Sequence, residues 1–244
     1  MNIAIIGYGK MGKEIETIAN ERNITIKKIF TSKNNIAGTG LTKQSLKGVD
    51  VCLEFSTPDV AFDNVAASIA AGKNVVCGTT GWMSKMNEAK TFAVKNNVGF
   101  LFAANFSIGL NIFSHILASA SELFNRFDDY DVFIHELHHA QKKDSPSGTA
   151  LSLASTLLQN FPRKKEIVSE KMKQPIHPNQ LHVTSTRAGH WVGQHKVVFD
   201  SAVDIIELIH TVRTRRGFAL GALTAAKWLQ GKQGCFSMQD VIFP

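Results

Sequence analysis

Short apolar runs separated by helical patterns fill the N-terminal part of the chain. The runs are residues 2–6, 24–30, 49–55, 74–77 and 98–102. Between the first two, apolar side chains recur at helical spacing, as at Ile15, Ile18 and Ala19. Runs of this length that alternate with helices are typical of parallel strands joined by crossover helices. The pattern predicts an α/β fold in which a parallel sheet carries helices on both faces, as in Rossmann-type domains.

The rest of the chain has a different order of elements. The patterns predict a helix at 108–124, a strand at 131–137, a helix at 146–160, strands at 181–187, 191–199 and 202–212, and a helix at 218–229. Residues 161–180 contain Pro162, Pro175 and Pro178 and are expected to be irregular. Three strands linked by short turns predict a mixed, partly antiparallel sheet. This part is expected to form a second, α+β domain.

The composition of the 244-residue chain excludes several classes of protein. Its hydrophobic content of 44% can fill a large core, and no apolar run approaches the roughly 20 residues that span a bilayer. The chain opens on a strand without a charged leader, and its three cysteines are few and far apart, so a cytoplasmic location is expected. The net charge of +7 is scattered and no nucleic-acid-binding module is recognisable, so small anions are the expected partners.

A Gly-x-Gly-x-x-Gly string follows the first apolar run directly. It consists of Gly7, Tyr8, Gly9, Lys10, Met11 and Gly12. Gly7 permits a tight turn, Gly9 lets a pyrophosphate reach the backbone, and Gly12 allows close packing of helix on strand. Because strand, glycine turn and helix follow in this order, the string predicts a dinucleotide-binding site.

The residues that follow other strands narrow the choice of cofactor. Small and hydroxylated residues after the strands suit a cofactor lying across the sheet edge, although ordinary turns and helix caps use the same residues. After the second strand the chain reads Thr31-Ser32-Lys33, with no acidic residue to hold the ribose 2′-hydroxyl of NAD. NADPH is therefore the expected cofactor.

Residues 136–150 combine imidazoles and ammonium groups with the start of a helix. His138, His139 and Lys142 are expected in a loop between the strand at 131–137 and the helix at 146–160. Backbone N–H groups near that helix start favour a carboxylate or phosphate. The segment therefore predicts an anion site with proton donors attached.

Two other interpretations of this segment remain open. His135, His138 and His139 could converge on a metal ion, or they could be packed surface histidines. His135 and His138 are expected on opposite faces of a strand, and Lys142 and Lys143 would repel a cation. No metal ion is therefore expected.

The segment reads Glu-Leu-His-His-Ala-Gln-Lys-Lys-Asp-Ser-Pro-Ser-Gly-Thr-Ala. Together with the glycine string it resembles the dihydrodipicolinate reductases, in which Glu-x-His-x-x-x-Lys-x-Asp-x-Pro-Ser-Gly-Thr-Ala spans the same positions without a gap. The resemblance covers nearly the whole chain. It implies NAD(P)H-dependent hydride transfer to a small cyclic dicarboxylate in lysine and diaminopimelate biosynthesis.

The resemblance also assigns residues. His138 and Lys142 would be the proton donors, and His139, Lys142 and the N–H groups of Gly148 and Thr149 would bind the substrate dianion. The cofactor site would further include Gly78, Thr79, Thr80, Ala103, Ala104, Asn105, Phe106 and Arg215. Since many members of the family accept both cofactors, NADH is expected to serve beside NADPH.

Domain boundaries and assembly complete the expectations. Residues 1–107 and 215–244 would form the dinucleotide-binding domain, and 108–214 a substrate-binding and oligomerisation domain. Apolar positions along 181–212 predict a homo-oligomer, and the resemblance implies a homotetramer.

Two alternative functions remain. A different two-domain NAD(P)-dependent dehydrogenase, acting on an amino acid or semialdehyde, would lack the 136–150 segment. A non-catalytic nucleotide sensor would have no use for paired proton donors.

Overall fold

The structure is a computed structural model that describes residues 1–170 and 172–243. In chain order its elements are β1 (Asn2–Ile6), α1 (Lys10–Glu21), β2 (Thr25–Phe30), β3 (Val51–Glu54), α2 (Pro58–Ala70), β4 (Asn74–Cys77), a short 3₁₀ helix (Met83–Lys85), α3 (Met86–Lys95), β5 (Gly99–Phe102), α4 (Ile108–Phe124), β6 (Asp131–His138), α5 (Gly148–Asn160), β7 (Glu166–Val168), β8 (Gln180–Arg187), β9 (Gly193–Asp200), β10 (Ile205–Val212), α6 (Arg216–Leu229), β11 (Gly234–Phe236) and α7 (Met238–Ile242).

The chain divides into two compact units. The first contains residues 1–111 and the segment from residue 216 onward, and the second contains residues 112–215. The first unit includes the first turn of α4, and its second segment begins with α6.

The first unit is built on a six-stranded sheet with the order β11-β5-β4-β3-β1-β2. Every strand pairing in it is parallel. The predicted Rossmann-like parallel sheet is thus confirmed. The chain passes from β1 outward to β2 and then returns to the other side of β1 to form β3. The carboxyl ends of β1 and β3 therefore flank the crevice in which open α/β sheets bind ligands.

Alternate residues of β1 enter two different hydrophobic cores. Ile3 and Ile5 pack with residues of α1 and α6, whereas Ala4 and Ile6 pack with residues of α2 and α3. Successive side chains of a strand point to opposite faces of the sheet. The helices therefore cover both faces, as the alternating sequence pattern predicts.

The second unit contains a five-stranded mixed sheet with the order β10-β9-β6-β8-β7. Strand β9 is antiparallel to both β10 and β6, whereas β6, β8 and β7 run parallel to one another. The predicted mixed sheet is confirmed. Helix α5 packs on β6 and β8 through the buried side chains of Leu153, Ala154 and Leu157.

Several local expectations were wrong. The stretch 161–180, expected to be irregular, contains β7, and neither β11 nor α7 was predicted. These elements are three to five residues long, which is too short to leave a periodic pattern. Helix α5 begins at Gly148 and not at residue 146, because Ser147 is extended and caps the helix.

Within the described residues, no helix is both long enough and apolar enough to cross a bilayer.

Candidate active site

The glycine turn between β1 and α1 has space where a cofactor pyrophosphate would lie. Gly7 has φ +90°, and an added β-carbon would lie 2.3 Å from the carbonyl oxygen of Phe55. A β-carbon on Gly12 would lie 2.2 Å from the carbonyl oxygen of Gly7. By contrast, a β-carbon on Gly9 would have no atom within 4 Å. Packing thus explains Gly7 and Gly12, whereas Gly9 leaves backbone open to a ligand.

A cavity of about 510 Å³ adjoins this turn. Its walls come from the carboxyl ends of β1, β2 and β3 and include Gly7, Tyr8, Gly9, Thr31, Ser32, Phe55, Ser56, Thr57, Asp59 and Asn64. Helix α1 begins at Lys10 without a side-chain cap, so its first N–H groups can donate hydrogen bonds to an anion. Cavity, glycines and helix start together fit a dinucleotide.

Lys33 lies in the turn that follows β2 and is exposed. Its N–H donates to Oγ1 of Thr31 at 3.2 Å, and the N–H of Thr31 donates to Oδ1 of Asn34 at 2.7 Å. Thr31 and Ser32 are walls of the cavity, whereas Lys33 stands beside them. The backbone of the turn is therefore fixed while the ammonium group remains available.

A buried carboxylate beneath the cavity was missed from the sequence. Glu54 is fully buried at the end of β3 and accepts the N–H of Ser56 at 3.1 Å and the thiol of Cys77 at 3.2 Å. Asn64 donates to Oγ of Ser56 at 3.1 Å. The sequence did contain an indication of this site, because Glu54 is a single acidic residue inside an apolar run. Carboxylates are rarely buried without partners, so such a residue predicts polar neighbours.

The other predicted cofactor residues follow β4 and β5 but are not walls of this cavity. The carbonyl oxygen of Thr79 accepts the indole N–H of Trp82 at 2.6 Å, which fixes the loop of Gly78, Thr79 and Thr80. Phe106 packs its ring 5.5 Å from that of Phe55 in the core, so its side chain serves packing. Ala103 is buried, Ala104 is exposed and Asn105 is partly exposed, whereas Arg215 is exposed at the end of the second unit.

His138 is the last residue of β6, not a loop residue as expected. The strand extends to it because Leu137 and His138 continue the parallel pairing with Thr186 and Arg187 of β8. The side chain of His138 is thereby held by the sheet. A strand position is more precise than a loop position for a group that must donate a proton.

The start of α5 has backbone donors that no residue of the helix accepts. Ser147 is its N-cap, and Oγ of Ser147 accepts the N–H of Ala150 at 3.2 Å. Gly148 and Thr149 are the first two helical residues, so their N–H groups have no partner within the helix. A β-carbon on Gly148 would have no atom within 4 Å. Space thus adjoins Gly148, whose backbone also interacts with the carboxylate of Asp144.

Glu136 connects the strand to this helix start. It is fully buried, and its Oε1 accepts hydrogen bonds from Ser147 N at 2.8 Å, Ser185 Oγ at 2.7 Å and Arg187 Nη2 at 2.7 Å. Burial by itself raises the pKa of Glu136, but the bonds from Arg187, Ser147 and Ser185 outweigh it and lower the pKa to about 2. Glu136 is therefore a carboxylate at every physiological pH.

Two buried imidazoles face the other oxygen of this carboxylate. Oε2 of Glu136 lies 3.0 Å from Nδ1 of His138 and 3.7 Å from Nε2 of His195. Burial lowers the pKa of His138, an effect that Glu136 opposes and Lys142 reinforces. Burial, and then His138, lower the pKa of His195 to about 4. His195 is therefore neutral at pH 7.

The predicted substrate residues of the loop lie beside this network. The N–H of His139 donates to the carbonyl oxygen of Trp191 at 2.8 Å, and the N–H of Lys142 donates to the carbonyl oxygen of His139 at 3.1 Å. Nζ of Lys142 lies 2.8 and 2.9 Å from the two carboxylate oxygens of Asp144. Lys142 is thus partly exposed and already paired with a carboxylate.

The histidines do not converge as the metal interpretation required. Nδ1 of His135 lies 2.8 Å from Oγ1 of Thr184, on β8. In the described part of the chain, one group has donor atoms within 4.8 Å of one another: Glu136, His138 and His195. Arg187 contacts the same carboxylate and supplies positive charge that a metal ion would otherwise bring. We therefore interpret this group as a proton-handling network.

Sequence reasoning gave Glu136, Arg187 and His195 no chemical role. Glu136 stood within the segment that carried the family resemblance, but the pairing of β6 with β8 was needed to bring Arg187 to it. His195 lies opposite Glu136 on β9. The sequence offered one indication of a pair, namely that Glu136 stands two positions before His138 at the end of a predicted strand. Two such residues face the same side of the strand.

Protein-family models match two consecutive parts of the chain. The model described as "Dihydrodipicolinate reductase, N-terminus" matches residues 1–106, and the model described as "Dihydrodipicolinate reductase, C-terminus" matches residues 109–242. A 4-hydroxy-tetrahydrodipicolinate reductase of Christiangramia forsetii is 36% identical over 99% of this chain and 98% of its own length. One from Rickettsia bellii is 34% identical over 98% of this chain and 94% of its own length.

Solved structures share the fold. The dipicolinate-bound dihydrodipicolinate reductase of Paenisporosarcina sp. TG-14 has a TM-score of 0.80, with 23% identity over 98% of both chains. A DAP dehydrogenase of C. glutamicum in complex with DAP has a TM-score of 0.53, with 13% identity over 100% of this chain and 96% of that one. A dehydrogenase of another specificity thus has a similar architecture, so architecture alone does not assign a reaction.

Proposed function

This chain belongs to the dihydrodipicolinate reductase family, and from that premise we propose which residues bind the substrate and cofactor and move the proton. Its reaction is that of a 4-hydroxy-tetrahydrodipicolinate reductase, an NAD(P)H-dependent step in lysine and diaminopimelate biosynthesis. The predicted family and function are confirmed. The 136–150 segment and its network are what a different dehydrogenase or a nucleotide sensor would lack.

The substrate is a small dicarboxylate, and we assign its charges to the start of α5. The N–H groups of Gly148 and Thr149 would hold one carboxylate, with Lys142 and His139 as cationic or hydrogen-bonding partners. The carboxylate of Asp144 supports this assignment. Its pKa is lowered chiefly by the hydrogen bond from Lys142, with a further contribution from the backbone of Gly148. The Asp144 carboxylate thus already interacts with Lys142 and with the backbone of Gly148, the groups that we assign to a substrate carboxylate.

His138 and Lys142 are the proposed proton donors. The observation that carries this proposal is the position of His138 on Glu136, whose carboxylate also accepts the N–H of Ser147 at the helix start. One buried acid thereby connects the donor with the anion site. Histidine suits the task because its ordinary pKa is close to neutrality. A dianionic substrate beside His138 would raise the pKa of its imidazole and favour the protonated form.

The cofactor site is proposed to use the glycine turn and the ends of the parallel strands. When bound, the nicotinamide cofactor supplies the hydride. The backbone at Gly9 and the start of α1 would bind its pyrophosphate, since both are open and electropositive. The loops after β4 and β5, with Arg215, remain proposed contacts whose role rests on the family resemblance.

We propose NADPH as the preferred cofactor, with NADH also accepted. Thr31 and Ser32 offer hydroxyl groups at the cavity wall, and the exposed Lys33 offers a cation beside them. No acidic side chain occurs among these three residues to repel a 2′-phosphate. The supporting feature is therefore a neutral and cationic surface where NAD-specific sites carry a carboxylate.

Assembly and location complete the proposal. Strand β10 is an edge of the mixed sheet and exposes Ile205, Ile206 and Ile209. Exposed apolar side chains on an edge strand favour pairing with another copy, so we propose a homo-oligomer, and the family resemblance suggests a homotetramer. We propose a cytoplasmic location because Cys52, Cys77 and Cys235 are all free thiols, which suits a reducing compartment.

Steady-state kinetics of three variants test the assignment of roles. His138→Gln is expected to lower kcat by about 10²- to 10⁴-fold with little change in KM, the usual range for a general acid. Thr149→Pro is expected mainly to raise KM for the dicarboxylate, because it removes the N–H group assigned to the substrate, in the first turn of α5 where proline is tolerated. Lys142→Ala is expected to change both constants.

The adjacent lysine provides the matched control. Lys143 is exposed, and Lys143→Ala makes the same chemical change as Lys142→Ala one residue away, so it should leave both constants near the wild-type values. NADPH affinity should survive in all four variants. If His138→Gln turns over at a near-normal rate with intact NADPH binding, the proton-donor role belongs to another group.

A further inference from the structure

Glu136 and His138 are two residues apart on β6 and project from the same face of the strand. The carboxylate is completely removed from solvent. Burying a charge is costly unless it is paired and hydrogen-bonded. Oε1 meets this requirement through three donors, namely Ser147 N, Ser185 Oγ and Arg187 Nη2.

Oε2 has a different environment. Its near polar neighbour is Nδ1 of His138 at 3.0 Å, and Nε2 of His195 is farther away at 3.7 Å. Neither Oε2 of Glu136 nor Nδ1 of His138 has an aligned hydrogen bond within the described residues. Both atoms are buried, so each has the other as its available partner. The separation of 3.0 Å between Nδ1 and Oε2 is within hydrogen-bonding range.

The opposite edge of the imidazole faces a glycine. A β-carbon on Gly193 would lie 2.9 Å from Nε2 of His138. The absence of a side chain at Gly193 makes room for the Nε2 edge of the imidazole, whereas the carboxylate of Glu136 lies at the Nδ1 edge. The two nitrogens of His138 therefore have unlike surroundings.

We propose that Glu136 is a positioning residue for proton transfer, in which Oε2 accepts the Nδ1 proton of His138 and leaves Nε2 as the nitrogen that donates. The inference rests on the proposed role of His138. In the imidazolium both nitrogens carry protons. When the Nε2 proton passes to the substrate, the neutral ring that remains keeps its Nδ1 proton against Glu136. Arg187, Ser147 and Ser185 hold the carboxylate and thus act one step farther from the reaction.

The charge of Glu136 also acts against several neighbours of His138. The charged or titratable groups that influence His138 are Glu136 and Asp144, which favour its protonated form, Lys142 and Arg187, which oppose it, and the ring of His195 at 5.2 Å. Because the pKa of His195 is about 4, that ring is neutral near pH 7. Removing the carboxylate would leave two cations unopposed except by Asp144, which is mostly exposed.

Glu136→Gln is the decisive variant, because it keeps the shape and removes the charge. We expect kcat to fall by about tenfold or more, with KM for the dicarboxylate little changed. A general acid loses activity as the pH rises through its pKa. Without Glu136, the basic limb of the kcat/KM profile should therefore move about one pH unit lower.

Asp131→Asn is the matched control. It also keeps the shape and removes the charge of a carboxylate on β6, one that pairs with the buried Lys164 and not with His138. We expect a lower thermal midpoint of unfolding and an unmoved basic limb. If Glu136 served the fold alone, Glu136→Gln would behave in the same way, and an unmoved limb in that variant would overturn the inference.

Nitrogen NMR of the wild-type protein provides a test that does not require Glu136→Gln to fold. The His138 signals are assigned by their loss in His138→Gln. Above its pKa, the ring should carry its proton on Nδ1, and a proton on Nε2 would contradict the proposed geometry. A His138→Gln protein that retains turnover would instead refute the proton-donor role itself, so the two failures are distinguishable.

Discussion

Gly193 and His138 are in such close proximity that a β-carbon on the glycine would lie 2.9 Å from Nε2 of the imidazole. Gly193 is the first residue of β9, and β9 pairs with β6, the strand that carries His138. Real β-carbons almost never approach another atom so closely. The φ of Gly193 does not lie in the left-handed region, so backbone conformation does not require a glycine there. The proximity of the His138 imidazole does require one.

Gly193→Ala is expected to act on turnover more than on folding. The nearest atoms are the outer end of the His138 side chain, so the imidazole can turn aside without a shift of the backbone. We expect kcat to fall by about tenfold or more, because misplacing a catalytic group by about 1 Å can cost that much. Steady-state kinetics together with a thermal unfolding scan measure both effects.

Gly217→Ala makes the same chemical change where an added β-carbon would have no atom within 4 Å. Gly217 lies within α6, where alanine is favoured over glycine. This variant should keep wild-type kcat. Equal losses in the two variants would show that the contact with His138 is not the cause.

Lys33→Asp is expected to discriminate between the cofactors. A cation beside a 2′-phosphate forms a charge-assisted hydrogen bond, and its loss at an exposed site should raise the Kd for NADPH about tenfold. The Kd for NADH should change little. Lys47→Asp makes the same charge change at another exposed lysine outside the cavity walls and serves as the control. Equal effects of Lys33→Asp on both cofactors would show that Lys33 does not contact the phosphate.

The edge strand β10 leads to a prediction about assembly. Ile205 and Ile209 are 61% and 50% exposed, although Val197, Val198 and Phe199 of β9, also expected to contribute, are buried within the protomer. Light scattering at micromolar concentration should give four times the 26.8 kDa chain mass. Ile209→Lys should reduce that mass, whereas Val94→Lys, at an apolar position of α3 that is 59% exposed, should not. A monomeric wild-type protein would refute the tetramer.

The low pKa of His195 leads us to expect a loss of folding stability in mild acid. Its folded-state pKa is about 4, below its ordinary value of 6.5, so the unfolded chain binds the proton first as the pH falls. Stability is therefore lost from about pH 6.5 down to about pH 4, at no more than about 1.4 kcal/mol per pH unit. Urea unfolding at pH 7.5 and pH 5 should show a smaller decline for His195→Gln than for wild type. Parallel declines would contradict this origin.

Glu136 affects folding stability at lower pH than His195 does. Its folded-state pKa of about 2 lies below its ordinary value of 4.5. The stability that it contributes is present above about pH 4.5 and is lost as the pH falls towards 2. The contributions of the carboxylate and of His195 therefore fall in successive pH windows.

Patterns that repeat along the chain made the fold predictable. The bounds of β1, β4 and α4 agree with the predicted ones, because long or strongly apolar elements leave a complete pattern. The three-residue strands β7 and β11 leave none. The pairing that adds β7 to the sheet joins residues 166–168 to β8 and involves no local signal.

The candidate site was predictable only in part for a related reason. His138, Lys142, Gly148 and Thr149 lie within one continuous segment, so a sequence motif can contain them. Arg187 and His195 reach Glu136 from two neighbouring strands, one parallel and one antiparallel. Their joint position depends on strand order and register, which the sequence pattern did not specify.

Turnover with the two classes of substrate most directly tests the assigned reaction. Purified protein is mixed with NADPH and either freshly generated 4-hydroxy-tetrahydrodipicolinate or an amino-acid semialdehyde, and absorbance of the reduced nicotinamide is followed. Loss of absorbance with the cyclic dicarboxylate alone, abolished in His138→Gln, is the expected result. No oxidation of NADPH or NADH with that dicarboxylate, or faster oxidation with the semialdehyde, would contradict the assignment.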